Sequence, residues 1–282
     1  MKTTLDCIPC FARQALQAAR FATDDPQVQE TVMRAVLREV AEMDMNQPPP
    51  VMAQWVHRRL RALTGSPDPY RSAKDDFNRL ALELLPAMER QIALATDPLA
   101  LAVRYAIAGN AMDLGPSMNV SVAQLRHSIE TVLDSPFEGD VELLRRALNG
   151  AEHILYLADN TGEIVFDRLL IQQLPPGRVT VAVRGAPILN DATLEDARTA
   201  GLHELAEVID NGSDAPGTLL SDCSDAFVTR FRAADLIIAK GQGNYETLSE
   251  VAAPLFFLLK VKCSLVGDRV GLSLGTHALV TP

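Results

Sequence analysis

The sequence predicts an α/β protein: a helical amino-terminal domain over residues 1–148, then a Rossmann-like three-layer α/β/α domain with a mostly parallel sheet over residues 149–282. Three observations carry this reading. Up to about residue 148 the apolar side chains recur at three and four, with almost no strand signal. After FEGDVELLRRALNGAEH the pattern changes to short apolar runs about 20–30 residues apart. Helical segments fill the gaps between those runs, and buried strands alternating with helices build a parallel sheet covered on both faces.

The elements follow in order. CFARQALQAARFA, VQETVMRAVLREVAEM, VMAQWVHRRLRALTG, SAKDDFNRLALELLPAMERQIALA and PLALAVRYAIAGNAMDLG are helical, with QPPP (47–50) and SPDP (66–69) as breaks. Strands are expected at HILYLA (153–158), RVTVAVR (178–184), LAEVID (205–210), ADLIIAK (234–240) and LFFLLKVKC (255–263). Helices are expected at 163–173, 191–200, 217–232 and 244–252.

Of the 282 residues 48% are hydrophobic and 22% charged, an ordinary globular balance. A formal charge of −10 argues against nucleic acid as a partner, because binding phosphate backbones needs a basic face. Residues 1–150 hold 16 basic and 19 acidic side chains, and the rest hold 10 and 17. An acidic second half that binds an anion needs a cation or well-placed lysines. No apolar stretch approaches the roughly 18–20 residues of a membrane helix, and MKTTLDCIPCFARQ lacks the apolar block of a signal peptide. The expectation is a cytoplasmic protein without a membrane partner, its oligomeric state left open. Four cysteines, two of them in a CxxC, suggest no disulfide framework.

Ligands of open parallel sheets bind outside the carboxyl ends of the strands. There the first strand delivers Asp159, Asn160, Thr161, Gly162 and Glu163. The second delivers Arg184, Gly185, Asn190 and Asp191; the third delivers Asp210, Asn211, Gly212 and Ser213. The fourth delivers Lys240, Gly241, Gln242, Gly243, Asn244 and Tyr245, and Lys262 and Cys263 come late in the fifth. Asp159, Asn160 and Asp191 offer oxygen ligands suited to a hard divalent ion such as Mg²⁺ or Mn²⁺. Gly162 lets backbone N–H groups approach a ligand at a helix start. Lys240 and Lys262 are candidates to neutralise phosphate charge.

Plainer readings stand beside these. Asp159 and Asp191 also suit helix N-caps, and Asn211-Gly212 suits a turn. Cys7 and Cys10, one helical turn apart, suit packing, a redox pair, or a second metal shared with Cys263 or a histidine. Asn110 and Asp113 in AGNAMD either reach the site from the helical region or cap a helix end. Arg58, Arg59 and Arg61 read as a solvated face. The five histidines are scattered and none is assigned to a metal.

LADNTGEIVFD, ILNDATLEDA, KGQGNYETL and the lysine of KVKCSLVG, in that order, resemble the DUF89 family of damage-control phosphatases, the ARMT1-like proteins. LDCIPCFARQAL, the DPY with Lys74 four residues after Tyr70, and AIAGNAMD are similar to its prokaryotic CxxC-bearing branch. The resemblance implies that Asp159, Asn160 and Asp191 hold a divalent metal, Mn, Co, Ni or Mg. It implies that Glu163 and the loop from Lys240 through Asn244 lie against substrate, and that Lys262 contacts its phosphate. The eukaryotic branch carries an Arg-Thr-x-Lys signature where this chain reads LKVK (259–262), so the sugar-phosphate preferences of that branch do not transfer.

The function read from all this is a divalent-metal-dependent phosphatase acting on small phosphorylated metabolites, with Asp159, Asp191 and Glu163 as catalytic candidates. Glu163, Lys240, Gly241, Gln242, Gly243, Asn244, Lys262, Asn110 and Asp113 are the substrate-binding candidates. The rivals are an S-adenosylmethionine-dependent methyltransferase, which wants more glycine than DNTGE supplies, and a non-enzymatic metal- or metabolite-binding protein. A haloacid-dehalogenase-type phosphatase wants a DxDx[TV] that DNTGE does not match.

Overall fold

The computed structural model describes residues 1–111, 127 and 130–282. Five helices open the chain: α1 (Cys7–Ala22), α2 (Pro26–Glu42), α3 (Pro49–Thr64), α4 (Arg71–Leu94) and α5 (Pro98–Ala108), the last running into a 3₁₀ turn at Gly109–Ala111. Proline begins α2, α3 and α5, where its fixed φ and missing N–H cost nothing. α1, α2 and α3 share a core of Phe11, Ala15, Val32, Val36, Val56 and Leu60.

Then come β1 (Phe137–Gly139), α6 (Val141–Gly150), β2 (Ile154–Leu157), α7 (Glu163–Ile171), β3 (Val179–Val183), α8 (Leu194–Thr199), β4 (Glu207–Asp210), α9 (Asp225–Ala233), β5 (Leu236–Lys240), α10 (Gly241–Leu248), β6 (Leu255–Lys260), α11 (Ser264–Val270) and β7 (His277–Val280). The expected division at residue 148 falls inside α6. The sheet order is β1-β7-β6-β5-β2-β3-β4, parallel at every pairing except β6 with β7. Five adjacent strands, β6-β5-β2-β3-β4, are the five apolar runs of the sequence; β7 and β1 extend the sheet beyond β6.

One face of the sheet, with Tyr156, Val181, Ile238 and Leu258, packs on Tyr105 and Ile107 of α5 and Phe166 and Leu170 of α7. The other, with Leu155, Leu157, Ile237 and Phe257, packs on Phe227 of α9 and Leu248 of α10. Chain order reverses direction at β2, from which β3 and β4 extend one way and β5 and β6 the other. Such a switch point opens a crevice at the carboxyl ends of the strands. No helix among the described residues is long and apolar enough to cross a membrane.

Candidate active site

The loops after β2 and β3 are stapled together. Thr161 donates its N–H to Asn190 O (2.8 Å), Ala192 its N–H to Asp159 O (2.8 Å), and a bridge pairs Asn160 with Asp191. Asp159, Asn160 and Asp191 therefore meet, all three buried. Neither acid is a helix cap. α7 opens on Gly162 with no side-chain cap, and α8 begins with a capping box between Thr193 and Asp196.

Gly162 has φ +78°, a backbone region that favours glycine. Its N–H donates to Asn78 Oδ1 of α4 (3.0 Å). Asn78 in turn donates to Asp196 (3.2 Å), which also meets Lys74 (3.2 Å) and Arg71 (3.0 Å). This corrects one expectation: the Gly162 amide is spent on α4 and is not offered to a ligand.

A second correction concerns Lys240. Its Nζ donates to Glu163 Oε1 (2.7 Å), Asp167 Oδ1 (2.6 Å) and Ala106 O (2.8 Å), and the residue is fully buried. An ammonium has three protons to donate, so Lys240 serves Glu163 rather than a ligand. Burial alone would lower its pKa, but the Asp167 and Glu163 carboxylates lift it well above the usual lysine range. Burial pushes the Asp167 carboxyl up to about 6, against the pull of Lys240 and with the push of Glu163. Tyr156 Oη donates to the same Asp167 oxygen (2.7 Å).

Glu163 Oε2 accepts from Asn110 Nδ2 (2.8 Å) and Asn160 Nδ2 (3.0 Å). Both amides also donate to Asp159 Oδ2, at 3.0 and 2.8 Å. An ionised carboxylate only accepts, so Asp159 and Glu163 fix both amides with nitrogen toward them and carbonyl oxygen away. Among the described residues Asn110 Oδ1 is left buried without a partner. A buried acceptor costs free energy until an electropositive group meets it, so this donor set suits a hard cation.

Arg184, which follows β3 and is almost fully buried, donates through Nε to Asp191 Oδ2 (2.7 Å), and its Nη2 lies 3.5 Å from Asp159 Oδ1. It stood in the strand-end inventory without a role; the signal was a charged side chain directly after the apolar run VTVAV. Asp167 was missed, although it is an acid directly after the apolar run IVF (164–166) of α7. Asn78 was also missed.

The KGQGN loop is built for close approach. Gly241 has φ +77°, and a Cβ there would lie 1.8 Å from Asp159 Oδ2. A Cβ on Gly243 would lie 2.6 Å from Pro216 O. Asn244 ties the strand ends together, donating to Lys240 O (2.7 Å) and Ala158 O (3.3 Å) and accepting from Thr218 Oγ1 (2.8 Å). Gln242 Nε2 donates to Glu246 (2.8 Å) and to Cys263 Sγ (3.4 Å), away from Asp159. Lys262 is half-buried just past β6. Asp113 lies outside the described residues.

The remaining motifs resolve as follows. Among the described residues no three His, Cys, Asp or Glu side chains cluster as a metal site, so Cys7, Cys10 and Cys263 do not form one. The arginines of α3 are not all solvated. Arg58 and Arg61 both pair with Asp214 after β4, and Arg58 also reaches Asp222 (3.3 Å), binding the helical region to the loop that carries Thr218. Asn211 makes the expected turn, its Oδ1 accepting from Ser213 N (3.0 Å).

Fold and site together define a Rossmann-like α/β protein with an oxygen-rich crevice at its switch point. A family model described as the damage-control phosphatase ARMT1-like domain matches residues 3–277, and the chain belongs to that family. It is 35% identical to damage-control phosphatase PH1575 of Pyrococcus horikoshii, over 96% of this chain and 94% of that one. It is 33% identical to a damage-control phosphatase of Archaeoglobus fulgidus, over 98% and 97%. The crystal structure of PH1575, a DUF89 family protein, superposes with a TM-score of 0.89 at 33% identity, covering 100% of this chain and 99% of that one.

Proposed function

We propose that the protein is a divalent-metal-dependent phosphatase of small phosphorylated metabolites, cytoplasmic and without a nucleic-acid or membrane partner. The observation that supports it most is the pair of amides held nitrogen-inward by Asp159 and Glu163. Asp159, Asn160 and Asp191 would hold the ion, with the Asn110 carbonyl beside them. A bound Mn²⁺, Co²⁺, Ni²⁺ or Mg²⁺ would offset negative charge on a phosphoryl group. Lys240 holds Glu163 in place through its Oε1, and Glu163 keeps the amide oxygens turned outward. Arg184 offsets charge on Asp159 and Asp191. The amino end of α10 and Lys262 provide positive potential for phosphoryl oxygens.

Hydrolysis of p-nitrophenyl phosphate by metal-stripped protein, with each ion added back, tests the reading. Turnover that needs the ion is the expected result. Folded protein inactive with every ion would leave the non-enzymatic binding protein.

A further inference from the structure

We propose that Lys260 and His277, with Arg104 behind them, form a second anion subsite that takes a carboxylate or second phosphate of the substrate. The inference deepens the phosphatase reading and rests on it for the identity of the substrate.

Lys260, the last residue of β6, lies directly opposite His277 in the antiparallel pairing with β7. Opposed residues share a face, their Cβ atoms about 5 Å apart, and like charges so placed are destabilising. His277 is buried and its Nδ1 has no hydrogen-bond partner among the described residues. Arg104 of α5 sits 5.1 Å over the ring of Phe137, itself paired with His277, and donates to the carbonyls of Val132 and Ser135. Among the described residues no carboxylate pairs with Lys260 or His277. Burial lowers the Lys260 ammonium and Lys262 lowers it further; burial, Lys260 and Arg104 hold His277 down to about 4.

The two fully buried lysines are treated otherwise. Lys74 is held by Asp68 and Asp196, and Lys240 by Glu163 and Asp167. A buried or half-buried charge is costly without a counter-charge, and at Lys260, as at Arg104, the described residues supply no paired carboxylate. Leu157, Ala239 and Phe257 are aligned across β2, β5 and β6, and Asn160 and Lys260 each follow three residues later. At about 4.8 Å per strand the carboxyl ends of β2 and β6, which lead into these two residues, lie roughly 10 Å apart along one edge of the sheet. A lysine side chain and a short phosphorylated acid together cover that span.

Glycerol 3-phosphate and 3-phosphoglycerate differ by one carboxylate and make the probe pair. The ratio of their kcat/KM values should favour 3-phosphoglycerate by about tenfold and approach one in Lys260→Gln. A ratio that the substitution leaves unchanged overturns the subsite. If neither ester is hydrolysed with any ion, the ratio gives no reading, and the phosphatase reading itself is judged with p-nitrophenyl phosphate. The subsite is then judged by the rise in melting temperature that sulfate gives the metal-stripped protein. A rise lost in Lys260→Gln supports it, and one unaltered overturns it.

Discussion

At the amino edge of the sheet, the starts of β2, β3 and β4 and the end of α9 line an open cavity of about 540 Å³ that includes His153, Arg178, Thr180 and Arg230. Its charges are matched and wet: Arg230 pairs with Glu207 at 2.6 Å and Arg178 with Glu152 at 3.3 Å, every partner at least a third exposed. At the carboxyl edge Lys240, Glu163 and Asp167 are fully buried, Asp159, Asn160 and Asp191 are nearly so, and Asn110 Oδ1 is orphaned among the described residues. Exposed pairs contribute about 0–1 kcal/mol, whereas desolvating charges costs several kcal/mol unless they are held in good geometry. Among the described residues the chain meets that cost at the carboxyl edge and not at the amino edge. This cavity and the investment of buried charge lie at opposite ends of the strands, and the buried charge marks the site.

The comparison can be broken in several places. Asp159→Ala should lower kcat by about 10³-fold in steady-state assays while the circular dichroism spectrum is kept; no amino-edge substitution should approach that. Lys240→Met leaves two carboxylates buried without their cation and should cost about 3–5 kcal/mol in urea unfolding. Arg230→Ala, its amino-edge counterpart, should cost no more than about 1 kcal/mol.

Acid should act next. His57 is held down to about 3 by burial, with Arg61 adding to it, and His277 to about 4. Both bind fewer protons folded than unfolded, so their contribution is complete above about pH 6.5 and is lost as pH falls below it. Asp167, raised to about 6, works the other way between about pH 4 and 6 and offsets part of the loss. The net fall from pH 7 to 5 should be about 2 kcal/mol, and His57→Asn should flatten it in unfolding curves at the two pH values.

A matched glycine pair separates backbone strain from an effect on the site. Gly177 at the amino edge and Gly241 share φ +77°, but a Cβ on Gly177 meets nothing within 4 Å. Gly177→Ala should cost about 1–2 kcal/mol of backbone strain and leave activity intact. Gly241→Ala carries similar strain and should also displace Asp159, lowering kcat at least about tenfold.

Strands β2 to β6 were legible because each is a short apolar run closed by polar loop residues, and the helices because their periodicity is sustained. β1 is three partly exposed residues and β7 is HALV, too short for any period to show; each exists through its neighbour in the sheet. The strand-end residues were legible through position alone. What each does was less so. Lys240 reads as a phosphate ligand until Asp167, Glu163 and Ala106 are seen around it, and Gly162 reads as an anion cradle until Asn78 takes its N–H. Those contacts join residues 73 or more apart in sequence, and no local pattern encodes them.

The account turns on carboxylates orienting the amides of Asn110 and Asn160 toward a cation. Titration of Mn²⁺ into metal-stripped protein, read by the loss of its free electron paramagnetic resonance signal, tests this in the native chain and in Glu163→Gln. One site in the native chain, weakened about 10–100-fold by the substitution with the fold intact, is the predicted result. Equal affinity in the two proteins, or no binding in either, would contradict it.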